Sequence, residues 1–166
     1  PEMIRLLQDT ITDPRFSFAH ADIHNAMYNP TGRTLEGFRE LPLGEQRFDV
    51  ITLLSVFTHL EPHDYVSMLR LLRSYVKQDG RLVYSLFIDE FTTGGFGLID
   101  GYHKTLTRLF QESGAPTDLK RVVEPFRDLD PQQPLKWALY SEEYARELIQ
   151  GTGWEIVSLT PPPASW

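Results

Sequence analysis

The stretch Phe48-Asp49-Val50-Ile51-Thr52-Leu53-Leu54-Ser55-Val56, answered downstream by Arg81-Leu82-Val83-Tyr84-Ser85-Leu86-Phe87-Ile88, decides the fold class. The first run is apolar and rich in β-branched side chains, the composition of a strand buried on both faces of a sheet, and the second is a further buried-looking strand. Between them Tyr65, Met68, Leu69, Leu72, Tyr75 and Val76 share one helical stripe, with Arg70, Arg73, Ser74 and Lys77 away from it. Asp79-Gly80 then reads as the helix stop, Gly80 taking the left-handed position that a residue without Cβ adopts freely. Strand, helix, strand implies a parallel pair with a right-handed crossover.

The flanks extend this pattern. Met3, Ile4, Leu7 and Ile11 recur at helical spacing over Pro1–Thr12, and Pro1 suits a first helical turn. Phe16 to Asp22 alternates aromatic with small or polar residues after the turn signal Asp13-Pro14 and is expected to be a strand. Tyr28 to Gly32 has loop chemistry, and Leu35 to Leu43 suggests a short helix. Beyond the second long strand, Tyr102, Leu106, Leu109 and Phe110 suggest another helix, and Pro116 to Pro134 reads as irregular. Ser141 caps a helix with Glu142 and Glu143 in its positive first turn and Tyr144, Ala145, Leu148 and Ile149 inward. A last strand is expected from Trp154 to Thr160, stopped by Pro161-Pro162-Pro163, which offer no amide protons. The fold class read from this order is α/β, with a doubly wound, mainly parallel sheet. Residues 1–166 form a single partial domain carrying an irregular excursion at about 91–135.

Composition narrows the functional classes. A chain of 166 residues with 41% hydrophobic content can bury a core. A net charge of −7 and pI near 5.2 supply no basic footprint, so nucleic acid is not an expected partner and a small-molecule acceptor is favoured. The lack of cysteine removes disulfides and thiolate metal sites, and a cytoplasmic setting is expected. No apolar run of about 18 residues is present, so no membrane partner is expected. With no Met at Pro1, the natural start is expected to lie elsewhere.

In a doubly wound sheet, ligands sit outside the carboxyl ends of the strands. The candidates there are Asp22-Ile23, Ser55-Val56-Phe57 with Thr58-His59, and Phe87 to Glu90. The passages Phe48-Asp49-Val50-Ile51, Ser55-Val56-Phe57-Thr58-His59-Leu60 and Lys77-Gln78-Asp79-Gly80-Arg81-Leu82 occur in an order and spacing similar to the middle of small bacterial class I S-adenosylmethionine-dependent methyltransferases. Pro1-Glu2-Met3-Ile4 and Ala21-Asp22-Ile23 resemble two earlier segments of that family, so the likeness covers most of residues 1–90.

The resemblance implies S-adenosylmethionine as cofactor. Asp22 would accept a hydrogen bond from the adenine amino group, and Ile23 would cover the ring and offer its backbone N–H. Ser55, Val56 and Phe57 would line the methionine side. The bland alternatives are a solvated strand-end carboxylate at Asp22 and ordinary packing at Ser55-Val56-Phe57. A histidine at a strand's carboxyl end can act as general base, which makes His59 the catalytic candidate; the alternative is a histidine that holds its loop. The pairs His20 with His24 and His59 with His63 have four-residue spacing, but a strand and Pro62 interrupt them, so no metal site is expected.

The same resemblance implies a glycine-rich cofactor loop and a ribose-binding acid before Pro1, and a further strand after Trp166, so the chain reads as a truncated domain. Asp79 stands where the family has a glycine. A late glycine cluster, Gly95, Gly97 and Gly101, is compatible with a nicotinamide-binding reductase, although it stands too far from its strand for a pyrophosphate turn. Two further expectations follow from truncation: a non-catalytic module acting through protein contacts, and self-association through an exposed sheet edge.

Overall fold

The computed structural model describes residues 2–26, 28–92, 124–128 and 135–161. They form a mixed arrangement of helices with two small sheets. In chain order the elements are α1 (Glu2–Thr10), β1 (Phe48–Leu53), α2 (Pro62–Arg73), β2 (Val76–Tyr84), β3 (Phe87–Ile88), a short helical turn α3 (Asp89–Thr92), β4 (Phe126–Asp128), β5 (Ala138–Tyr140) and α4 (Glu142–Ile149). Short 3-10 turns occupy Leu35–Gly37 and Phe57–His59. The expected helix near Tyr102 to Phe110, the late glycines and most of the 91–135 excursion lie outside the described residues.

β1 and β2 pair in parallel through the α2 crossover, as the apolar runs and the helical stripe between them require. The register is not uniform. Phe48 faces Val76, but the next pair is Val50 with Arg81, so β2 advances five positions while β1 advances two. This bulge contains Gly80. Gly80 is therefore a strand residue with no positive φ, not the helix stop expected from Asp79-Gly80. Its role is close approach: a Cβ there would stand 2.9 Å from the Phe48 carbonyl oxygen and 3.0 Å from that of Asp49. The helix ends earlier, at Ser74, whose Oγ donates to the Leu71 carbonyl at 2.7 Å. Across the bulge Lys77 grips Asp49 at 2.8 Å, and that ammonium holds the Asp49 carboxyl below its ordinary pKa.

One face of this pair packs on α2. Ile51, Leu53, Leu82 and Tyr84 lie against a core that includes Tyr65 and Leu69. The other face does not match the expectation of burial on both sides: Val50, Leu54 and Val83 are 56%, 71% and 51% exposed. Among the described residues nothing pairs with the outer edge of β1 or of β2.

The second sheet has the order β3-β5-β4, with β3 parallel and β4 antiparallel to β5. All three residues of β5 are buried. Tyrosines join this sheet to the first. Tyr65 Oη and Tyr84 Oη are 2.7 Å apart, Tyr140 Oη donates to the Leu60 carbonyl at 2.6 Å, and the Phe57 ring meets Tyr65 edge-on and Tyr84 at a tilt. Burial pushes the phenols of Tyr65, Tyr84 and Tyr140 above their ordinary pKa.

α4 begins as its sequence dictates: Ser141 Oγ accepts from the Tyr144 N–H at 3.1 Å, and Ala145 and Ile149 turn inward. Gly151 and Gly153 follow with positive φ. Arg81 to Ile88, expected as one strand, breaks at Ser85-Leu86 and is shared between β2 and β3, which belong to different sheets. Three further expected elements differ. Phe16 to Asp22 is not a strand, because among the described residues no strand takes up its backbone groups; Phe16 and Phe18 stack on each other. Leu35 to Leu43 contains only the 3-10 turn. Trp154 to Thr160 is not a strand either; only its start is held on α2. Trp154 Nε1 donates to the Leu69 carbonyl at 2.8 Å, and Arg73 Nε donates to that of Gly153 at 2.9 Å. Among the described residues no helix is long and apolar enough to cross a membrane.

Candidate functional site

The carboxyl end of β1 is where the sequence-derived candidates collect. Ser55, two residues past the strand, takes φ +56, a conformation costly for a residue with Cβ, and its N–H is held by Ser85 Oγ at 2.8 Å. The chain then turns inward. Val56 is half-buried against the core, and the Phe57 side chain is 0% exposed. Phe57 as a whole is closed off here, so it packs the loop onto the core and presents no surface to a ligand.

A second loop, Ala21 to Arg33, closes against this one. Ile23 and Arg33 form a parallel bridge through Arg33 N to the Asp22 carbonyl (2.9 Å) and His24 N to the Arg33 carbonyl (2.7 Å). Gly32 makes the closure possible, because a Cβ there would lie 2.7 Å from both His24 N and the Ile23 carbonyl carbon. Asp22 is exposed, with Oδ1 accepting from Asn29 Nδ2 at 2.9 Å. Ile23 is half-buried and packs on the core, but its N–H turns back to the Ala21 carbonyl at 3.0 Å. The two loops are tied by Asn25, whose Nδ2 donates to the His59 carbonyl at 3.0 Å.

His59 sits where the loops meet. It is half-buried, the Tyr28 ring stands edge-on at 5.3 Å, and Nδ1 is 3.0 Å from the Leu135 carbonyl oxygen. Leu135 in turn donates its N–H to Asp128 Oδ2 at 2.7 Å and adopts φ +58. Asn25, Tyr28, Asp128 and Leu135 are the members that sequence reasoning missed. Asn25 and Tyr28 stand in or beside a segment with loop chemistry, but nothing local marks Asp128 or Leu135.

Other features lie apart from this cluster. Asp89, 2% exposed, faces Arg127 Nη2 at 3.4 Å in the second sheet. A cavity of about 760 Å³ runs along β2, walled by Leu82, Tyr84, Phe91, Ile149, Trp154 and Ile156; of the strand-end candidates Phe87 and Ile88 line it, and Asp22, Ile23, Ser55, Val56, Phe57 and His59 do not.

No family model matches the chain, and no solved structure matches it significantly.

Proposed function

We propose that the chain is an S-adenosylmethionine-dependent methyltransferase of the doubly wound class I type, acting on a small-molecule acceptor, with β1–α2–β2 as the middle of its sheet. The observation that carries this reading is the Asn25–His59 tie, which joins the loop holding Asp22-Ile23 to the loop that runs from Ser55 to His59 after a parallel strand.

The residues fit the adenine end of the cofactor. Asp22 Oδ2 has no partner among the described residues and can accept from an exocyclic amine, and the half-buried Ile23 side chain can cover a flat ring. The Ile23 N–H, spent on Ala21, is not offered to adenine in this arrangement. The cofactor supplies an electrophilic methyl group on a sulfonium. The chain's own part is to orient the acceptor and to receive its proton at His59, and proximity supplies much of the acceleration.

Calorimetric titration with S-adenosylmethionine tests this. Micromolar binding is expected, weakened about tenfold by Asp22→Ala, the loss of one charge-assisted hydrogen bond. Unchanged affinity in that variant overturns the adenine assignment, and no binding overturns the methyltransferase reading for this chain.

The exposed face of Val50, Leu54 and Val83 favours a second reading, a non-catalytic module acting through protein contacts. That reading expects self-association in size-exclusion chromatography, relieved by Val50→Lys with Val83→Glu. A monomer before substitution counts against it.

A further inference from the structure

The contacts around His59 carry more than its presence at a strand end. A carbonyl oxygen has no proton to give, so the 3.0 Å contact from Nδ1 to the Leu135 carbonyl requires that Nδ1 bear the hydrogen. In the neutral ring the lone pair is then on Nε2, which has no partner among the described residues. The partner that enforces this is itself held. Leu135 pays for φ +58, a conformation that a residue with Cβ abandons unless its surroundings fix it, and Asp128 Oδ2 fixes it by accepting the Leu135 N–H at 2.7 Å. The Asn25 bond to the His59 carbonyl and the Tyr28 ring secure the same residue from the other loop.

We propose that Asp128 and Leu135 are positioning residues that lock His59 in the Nδ1–H tautomer, making Nε2 a standing proton acceptor. Asp128 does not touch His59; it acts through the Leu135 carbonyl, much as second-layer partners orient histidines elsewhere. The step this prepares is a single proton transfer. The O–H bond of a hydroxyl opens, its proton passes to the Nε2 lone pair, the bonding pair stays on the oxygen as the nucleophile, and the imidazolium keeps its Nδ1 hydrogen on Leu135. A neutral hydroxyl needs this help more than a neutral amine, which already has an available lone pair. The assignment of that hydroxyl to a methyl acceptor rests on the methyltransferase reading above.

Nitrogen-15 spectra of the histidine side chains at alkaline pH test the lock directly, with His59 assigned by its loss in His59→Gln. Wild-type protein is expected to show His59 with a protonated Nδ1 and an unprotonated Nε2. Asp128→Ala is expected to lose this preference in favour of the Nε2–H form, whereas Asp128→Asn, whose side-chain oxygen can still accept from Leu135, restores it. Leu135→Gly keeps the carbonyl and tolerates the positive φ, so it should retain the wild-type tautomer. An Nε2–H tautomer in the wild type overturns the proposal, whether or not any variant folds. An unchanged tautomer in folded Asp128→Ala overturns the role of Asp128. Absence of S-adenosylmethionine binding in the same samples would sink methyl transfer and leave the tautomer result standing, and the reverse outcome would do the opposite.

Discussion

At position 80 the space admits a hydrogen atom and little more. The carbonyl oxygens of Phe48 and Asp49 crowd the place a Cβ would take, and both belong to the backbone of β1, which cannot swing aside as a side-chain tip can. Gly80→Ala should therefore lower stability by about 1–3 kcal/mol, read as a fall in the denaturation midpoint at unchanged slope. An unaltered midpoint would show that the bulge relaxes freely. The glycine itself was legible in the sequence, but its task was misread. Asp79-Gly80 has the chemistry of a helix stop, and only the register jump between Phe48 and Val50 reveals that β2 has already begun at Val76. Among the described residues other than glycine, Ser55 and Leu135 carry positive φ, and neither residue type announces such a conformation.

Among the elements, those governed by local rules were readable. Ser141 followed by two glutamates specifies α4 by a cap and a favourable dipole contact within one turn, so Ser141→Ala should cost about 1 kcal/mol, measured by thermal or chemical unfolding. A loss near zero would mean that burial of Ala145 and Ile149 alone sets the helix start. β1 and α2 were equally plain, the first from its β-branched run and the second from its stripe. Elements that depend on a distant neighbour were not. Phe16 to Asp22 alternates as a strand should but pairs with no strand among the described residues, and only the start of Trp154 to Thr160 is held, by the Trp154 and Arg73 bonds to α2. β5 was overlooked for the opposite reason: three residues are too few for a periodicity, yet Ala138-Leu139-Tyr140 joins two strands and lies wholly inside.

For the molecule as a whole, the tyrosines that join the two sheets set an alkaline limit. Burial is the first cause of the raised pKa at Tyr65, Tyr84 and Tyr140, so the folded state holds their protons more tightly than the unfolded chain, where a phenol titrates near 10.0. Their contribution is complete below that value and drains away as pH climbs above it, because the unfolded state then releases protons the folded state retains. Circular dichroism and tyrosinate absorbance followed together from neutral to strongly alkaline pH should show loss of structure coinciding with ionisation of these phenols. Ionisation well ahead of unfolding would contradict the burial. Tyr140→Phe removes the donor to the Leu60 carbonyl and should lower stability at neutral pH by about 1–2 kcal/mol.

The turn after β1 is anchored from three directions, by Asn25, Leu135 and Tyr140, at sequence separations of 34, 76 and 80 residues. Each anchor closes a long loop, and the entropy of those closures must be met before any of the three bonds can form. The candidate site is thus among the most non-local parts of the molecule. Contacts this distant in sequence are expected to form after the more local β1–α2–β2 unit, and amide exchange in the turn should rise when any one of the three anchors is removed. A destabilising change as remote as β5 would reach His59 through Tyr140 and Leu60 without touching any residue that meets a ligand.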